Sequence, residues 1–348
     1  MADFADITST SNYNTPKALY IGVDGVARKV KKAYIGVDNV ARKVKKMYLG
    51  VNGVARCIFS GEQKLSYYGT ATALSQARYY LSSTTVGNYA LFGGGLIDGE
   101  WSGNSASSTV DAYNTSLTRT TPTALSQARG DLVSTTVGNY ALFGGGYTTT
   151  YSSTVDAYNT SLTRTTPTTL SQGRQSLTST TVGNYALFGG GWAGSGRLAI
   201  VDAYNTSLTR TTPTVLSQAR QTIAATTVGN YALFGGGYTD TFSSTVDAYD
   251  TSLTRTTPTA LSQTRDDLAS TTVGNYALFG GGRFTGNSSL AIVDAYNTSL
   301  TRTTSTALSK ARQSLVSTTV GNYALFGGGM IQGNSVIAMA TVDVYQVS

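Results

Sequence analysis

The chain contains no histidine and a single cysteine among its 348 residues, and only 12% of its residues are charged. Without histidine, the usual general base and the commonest metal ligand are gone. One cysteine, Cys57, excludes an intrachain disulfide and any multi-cysteine metal centre. Cys57 stands where Lys29 and Lys43 stand in two earlier short repeats, and it reads as a small strand residue rather than a reactive thiol. The first residues, MADFADITSTSNYNTPK, have neither a basic nor an apolar region of the kind a secretory signal needs. No apolar run approaches the roughly 18 residues of a membrane helix. The expectation is a soluble product made in the cytosol, with no membrane insertion.

What is abundant is glycine, at 39 residues, and tyrosine, at 23, together with serine and threonine. That is the profile of an all-β protein rich in tight turns. Charge is unevenly spread. Residues 1–65 carry 11 Lys+Arg and 5 Asp+Glu, a net +6, whereas residues 66–348 carry 14 and 13, a net +1. The composition therefore breaks near residue 65. A basic segment of this strength reads first as a solvated face, and nucleic acid is an unlikely partner; the Lys pairs 31–32 and 45–46 would be its only handle.

Two repeats organise the chain. In the N-terminal part, LYIGVDGVARKVKKA, AYIGVDNVARKVKKM and MYLGVNGVARCIF recur with a period of 14, placing Tyr20, Tyr34 and Tyr48 in register. Each reads as strand, two-residue turn, strand, because Asp-Gly, Asp-Asn and Asn-Gly tolerate the positive φ of hairpin turns. The turns pair Val23 with Val26, Ile21 with Arg28 and Leu19 with Val30. A meander of about six short strands is expected, with Leu19, Ile21, Val23, Ile35, Val37, Leu49 and Val51 on an apolar face. Such hairpins are marginal alone. Residues 17–64 therefore read as an attachment or oligomerisation module, with a self-contained small sheet as the other reading. Residues 1–16 are polar and expected to be a flexible N-terminal segment.

The larger repeat is VGNYALFGGG, which begins at residues 86, 137, 182, 228, 273 and 320, at spacings of 51, 45, 46, 45 and 47. A period of this size marks a repeat architecture. One unit reads ALSQARxxLxSTTVGNYALFGGG, a variable stretch, then STVDAYNTSLTRTTPT, and divides into four short strands. In the second copy these are Leu132 to Val137, Tyr140 to Phe143, Thr154 to Tyr158 and Leu162 to Thr166. Pro167 closes the last, where a missing N–H does least harm. Four strands repeated six times describe a six-bladed β-propeller over residues 65–348. The sixth copy stops after its third strand, at VDVYQVS, and an orphan segment, Leu65 to Thr70, is expected to supply the fourth.

The glycine run after an aromatic-aliphatic strand, followed by a VDAY strand, resembles the kelch repeat. The tryptophan usual in the fourth kelch strand is missing here, and LTRT stands in its place. The YIGVDGVARKVKK repeats resemble segments of tail and other virion proteins of phages of Gram-positive bacteria.

Comparison of the copies locates what each blade makes its own. The VGN and NTS turns are shared, and in a propeller they lie on one face. The loops between second and third strands, and the residue pairs after the repeated arginine, differ and lie on the other. Loops on a rigid scaffold are where binding resides. This variable rim holds Trp101, Tyr147, Tyr151, Trp192, Tyr238, Phe242 and Phe284, with Asp98, Glu100, Asp240 and Asn287 interspersed. Aromatic faces beside carboxylates and amides suit sugar rings or a protein surface. The residue after each glycine triplet has a second reading, as a cap on its own blade.

A second constellation is the repeated arginine: Arg78, Arg129, Arg174, Arg220, Arg265 and Arg312. It reads either as scaffolding, paired with the recurrent Asp of VDAY, or as an anion-binding ring at the channel. Identity in all six blades favours scaffolding. No cofactor is expected. An enzyme is disfavoured, because the chain has no histidine, no copper ligand set and no asymmetric acidic cluster.

Together these features predict a non-enzymatic adhesion protein of a phage-like virion. Its rim would bind a host-surface glycan or protein. Residues 1–64 would contact other virion proteins or further copies of the chain, giving a homo-oligomer. The alternative is an intracellular, cytoplasmic interaction scaffold of the kelch type.

Overall fold

The computed structural model describes the backbone of six short strands between residues 20 and 60, and residues 70–97, 105–332 and 336–347. The chain divides into two units, residues 1–70 and 71–348. In the first, strands Tyr20–Val23 and Val26–Lys29, Ala33–Val37 and Val40–Val44, and Lys46–Val51 and Val54–Ser60 form three antiparallel hairpins. Val23 lies opposite Val26 and Ile21 opposite Arg28; Ile35 and Val37, and Leu49 and Val51, repeat that register. Leu19 lies outside the described residues. The expected six-strand meander is instead three separate two-stranded sheets among the described residues. A two-residue turn closes its own hairpin at low loop-closure cost and does nothing to pair one hairpin with the next.

The second unit is an all-β, six-bladed β-propeller. Blades one to five are four-stranded antiparallel sheets, and the sixth has three strands among the described residues. In blade two the strands are Val133–Val137, Tyr140–Gly144, Val155–Asn159 and Arg164–Thr165. The fourth strand is shorter than the sequence suggests. Leu162 sits at φ 61°, a left-handed conformation that cannot continue a strand. It completes a turn in which the Asn159 side-chain oxygen accepts hydrogen bonds from the Ser161 and Thr163 N–H groups, at 3.0 and 2.9 Å. Residues 65–69, the expected fourth strand of blade six, lie outside the described residues.

Neighbouring blades lock by one repeated contact. The last residue of each second strand is glycine, and in blades one to five the phenylalanine of the next blade packs closely against it. A Cβ at Gly144 would stand 2.7 Å from Phe188, and one at Gly189 would stand 2.7 Å from Phe234. Around this contact each of the five successive pairs of blades from one to six builds a core. Between blades one and two it comprises Val86, Leu91 and Val110 on one side and Ala141, Phe143 and Tyr158 on the other. The inner strands are joined as well by threonine hydroxyls, such as Thr135 to Thr181 at 2.9 Å and Thr180 to Thr227 at 3.1 Å.

Blade six departs from this pattern. Among the described residues, a Cβ at Gly327 would meet only Val342 of its own blade, at 3.5 Å. Val316, Val320, Val342 and Val344 on the same blade are exposed. The fifth and sixth blades do pack, through Phe326 against Gly280.

The glycine contact makes a paired prediction. Gly189→Ala should destabilise the propeller by about 1–3 kcal/mol through overpacking. Gly327→Ala should change stability by less than about 0.5 kcal/mol. Chemical denaturation of the two variants measures the difference; equal losses would contradict the described packing.

Candidate binding rim

Two sets of turns confirm which loops share a face. On one face, the Gly138 turn of blade two abuts Thr206 in the Asn-Thr-Ser turn of blade three, and Gly183 abuts Thr251 in the same way. On the other, the residue after each glycine triplet exchanges backbone hydrogen bonds with the residue after the repeated arginine. Trp192 and Gln175 do so at 2.8 and 3.0 Å, and Tyr238 and Gln221 at 2.9 and 3.1 Å. The triplet makes this possible. Gly145 and Gly146 have φ of 70° and 105°, and a Cβ at Gly146 would stand 2.7 Å from the Gly130 carbonyl oxygen. The residue after the triplet is thus both a cap on its own blade and the first residue of the variable loop.

From that residue each loop folds back. Tyr147 bridges to Tyr151, Trp192 to Arg197 and Tyr238 to Phe242. The result joins four blades into one belt. Tyr147 and Tyr151 meet edge-to-face at 5.3 Å. The Trp192 indole N–H donates to the Tyr151 hydroxyl at 3.2 Å. The Arg197 guanidinium lies 5.5 Å from the Trp192 ring centre and 4.7 Å from that of Tyr238. Tyr238 meets Phe242 at 5.5 Å, and Phe242 meets Phe284 at 6.3 Å. Arg283 stands over Phe242 at 5.7 Å.

The structure therefore brings together Tyr147, Tyr151, Trp192, Tyr238, Phe242, Phe284 and Asp240. Trp101, Asp98 and Glu100 lie outside the described residues. Two participants escaped the sequence reading, Arg197 and Arg283. Their only signal was that they are the basic residues of loops otherwise aromatic and small. Arg197 bonds Asp240 at 2.7 Å, and Arg283 holds Asp266 with two bonds of 2.9 and 2.6 Å.

The six repeated arginines are not available to a ligand. Arg129 bonds Asp156 at 2.8 Å and the Phe143 carbonyl oxygen at 3.0 Å, with both charged side chains fully buried. Arg174 and Asp202, Arg265 and Asp294, and Arg312 and Asp343 repeat the pair at 2.8, 2.7 and 2.7 Å, and Arg220 with Asp247 and Arg78 with Asp111 complete it. Burial pulls the guanidinium pKa of Arg129, Arg174, Arg220 and Arg265 below the ordinary value, and the aspartate partners pull it back up. An anion-binding ring is thereby excluded, because each guanidinium is sealed inside its blade. In blades one to five a second arginine, such as Arg210 at 3.1 Å from Asp202, reaches the other carboxylate oxygen.

The pairs after these arginines do a structural job as well as a variable one. Their second members, among them Asp131, Ser176, Thr222 and Asp267, have φ near 50°. They stitch blade to blade: the Asp131 carboxylate accepts the Ser176 N–H and hydroxyl at 3.0 and 2.8 Å. Burial, reinforced by neighbouring Asp266, pushes the Asp267 carboxyl up to about 6, against the opposing pull of Arg283.

Comparison with known proteins supports the fold alone. No protein-family model matches the chain, and no curated protein does. Among solved structures, one described as "Structure of YjhT" is similar, with a TM-score of 0.58 and 13% sequence identity. The match covers 80% of this chain and 97% of that one. Identity this low carries shape and not activity.

Two measurements test the electrostatics. Asp202→Asn should cost about 3–5 kcal/mol, because it leaves buried Arg174 without its counter-charge. Denaturant unfolding would show it, and a loss below 1 kcal/mol would contradict the buried pair. For Asp267, the folded state holds the proton more tightly than the unfolded chain, whose carboxyl titrates near the ordinary value of 3.8. The parent therefore loses stability as pH rises from about 4 through 6. Asp267→Asn lacks that titration. Its stability relative to the parent should increase across this window, by up to about 3 kcal/mol at pH 8. Melting temperatures of both chains between pH 4 and pH 8 read the effect, and parallel curves would refute it.

Proposed function

We propose that this chain is a non-enzymatic adhesion protein, an appendage of a phage or phage-like particle whose propeller rim binds a glycan or protein on a host surface. The observation that carries this reading is the unbroken belt from Tyr147 to Phe284, assembled from the loops of four blades. A scaffold of near-identical blades has no structural need for loops that differ, so their aromatic content is best accounted for by a ligand. Tyrosine and tryptophan supply large, rigid contact area at small entropic cost, which suits recognition. The recurrent carboxylates that would serve acid–base chemistry are each committed to arginine. The resemblance of the hairpin repeats to virion segments supports the same placement. Residues 1–64 would attach the propeller to other virion proteins or to copies of itself.

Labelled chain incubated with a panel of intact Gram-positive bacteria tests this. The parent should bind at least one strain, and Trp192→Ala/Tyr238→Ala should reduce binding by about tenfold or more, equivalent to about 1.4 kcal/mol. Undiminished binding by a folded double variant would remove the rim as the site.

A further inference from the structure

We infer that the ligand of this rim is an uncharged oligosaccharide at least two rings long, held across blades three to five; the inference rests on the rim being the binding surface. Two hollows lie side by side along the belt. One, of about 230 Å³, is lined by Gln175, Ser176, Trp192, Arg197 and Gln221. The other, of about 410 Å³, is lined by Tyr238, Asp240, Thr241, Phe242, Thr264 and Thr285. Between them stands the Arg197–Asp240 pair, with Arg197 facing the first hollow and Asp240 the second. A single small ring occupies one hollow only. A chain of rings passing over the partition occupies both.

The lining chemistry selects hydroxylated rings. The first hollow sets an indole beside two amides and a hydroxyl. The Gln175 side-chain oxygen is buried without a hydrogen-bond partner among the described residues. A glutamine amide offers one acceptor and one donor group at this end of the hollow. A purely apolar guest would leave that amide unpaired, whereas paired hydroxyls on a sugar satisfy both its groups. The second hollow sets the edge-to-face rings of Tyr238 and Phe242 beside three threonine hydroxyls and the exposed Asp240 carboxylate. Aromatic faces take the C–H faces of a pyranose, and hydroxyls and carboxylate take its rim.

Charge argues against an anionic polymer. Both guanidiniums of the belt are already compensated, Arg197 by Asp240 and Arg283 by the bidentate Asp266. A third carboxylate, Asp267, lies 3.6 Å from Arg283. A polyphosphate or polyuronate would meet a belt with no uncompensated cation among the described residues, and no strong salt-dependent attraction would draw it in.

The test uses the full chain on an array of uncharged and anionic oligosaccharides. Titration then follows of the best uncharged tetrasaccharide, its monosaccharide and polyglycerol phosphate, at about 50 and about 500 mM NaCl, salts that span a wide range of screening. The tetrasaccharide should bind with affinity changing less than about threefold between the two salts, and the monosaccharide about tenfold or more weaker. Trp192→Ala and Gln175→Ala should each weaken the tetrasaccharide by about tenfold, and Phe242→Ala should weaken the tetrasaccharide while sparing the monosaccharide. Melting temperatures guard against unfolded variants. In a Trp101→Phe background, Trp192 fluorescence should shift on binding. Salt-sensitive binding of polyglycerol phosphate alone, or no uncharged oligosaccharide bound, overturns the inference. In either case, loss of cell binding in Trp192→Ala/Tyr238→Ala leaves the rim as the site; only unaltered cell binding removes both readings.

Discussion

Each complete blade of this propeller hangs on one buried carboxylate. In blade three, Asp202 on the third strand accepts the N–H of Ser171 at 3.1 Å, Arg174 at 2.8 Å and Arg210 at 3.1 Å. Ser171 and Arg174 belong to the segment that brings the chain into the blade, and Arg210 belongs to its last strand. One side chain thus ties the entering segment to the third and fourth strands of the blade. The neighbouring Tyr204 adds a hydrogen bond from its hydroxyl to the Thr168 carbonyl oxygen at 2.7 Å. Burying two full charges is costly, and a pair of this kind holds only when its remaining hydrogen-bonding groups find partners. The backbone amide of Ser171 and the carbonyl oxygen of Phe188, which Arg174 reaches at 3.1 Å, supply two of them.

The clasp and the phenylalanine lock divide the work. A lone blade buries little, since its apolar residues point at its neighbours; the cores lie between blades and draw on both. The clasp fixes where the arginine segment runs, and that segment fixes, by backbone pairing, where each variable loop begins. Freedom in the loops is therefore confined to residues beyond a rigid starting point. Tyr151, Arg197 and Phe242 each lie within a few residues of such a point, which explains how loops of different sequence still meet across blade boundaries.

Much of this was legible in the chain because the signals are local. The Val-Gly-Asn turn, the glycine triplet and the Asp of VDAY each do the same job wherever they occur. The assignment of arginine and aspartate to each other followed from their six-fold identity. Less legible were features that depend on a neighbour. The fourth strand was drawn too long because nothing in the Leu-Thr-Arg-Thr string announces that Leu162 turns left-handed. Arg197 and Arg283 are not legible because an arginine in a short loop reads as solvated, and only the adjacent loop gives it partners. The register of the three hairpins of the first unit is legible because it is set within a turn, whereas their separation into three sheets among the described residues is not, since sheet order is not set there.

The sixth blade shows how closely residue choice follows the neighbour. Where blades one to five carry alanine in the VDAY strand, with no more than 5% of its surface exposed, blade six carries Val344. In the first five blades that position is pressed beneath the next blade, and two further methyl groups there would overpack the contact. In blade six the same position is 56% exposed, so the larger side chain is accommodated. Asp343 also lacks the second arginine that its five counterparts have among the described residues, and keeps Arg312 and the Ser309 amide as its partners. Terminal repeats of stacked architectures commonly differ in this way, because their outer face answers to different contacts from the rest. The single departure from VDAY to VDVY thus falls at the one blade where the packing that enforces alanine is relaxed.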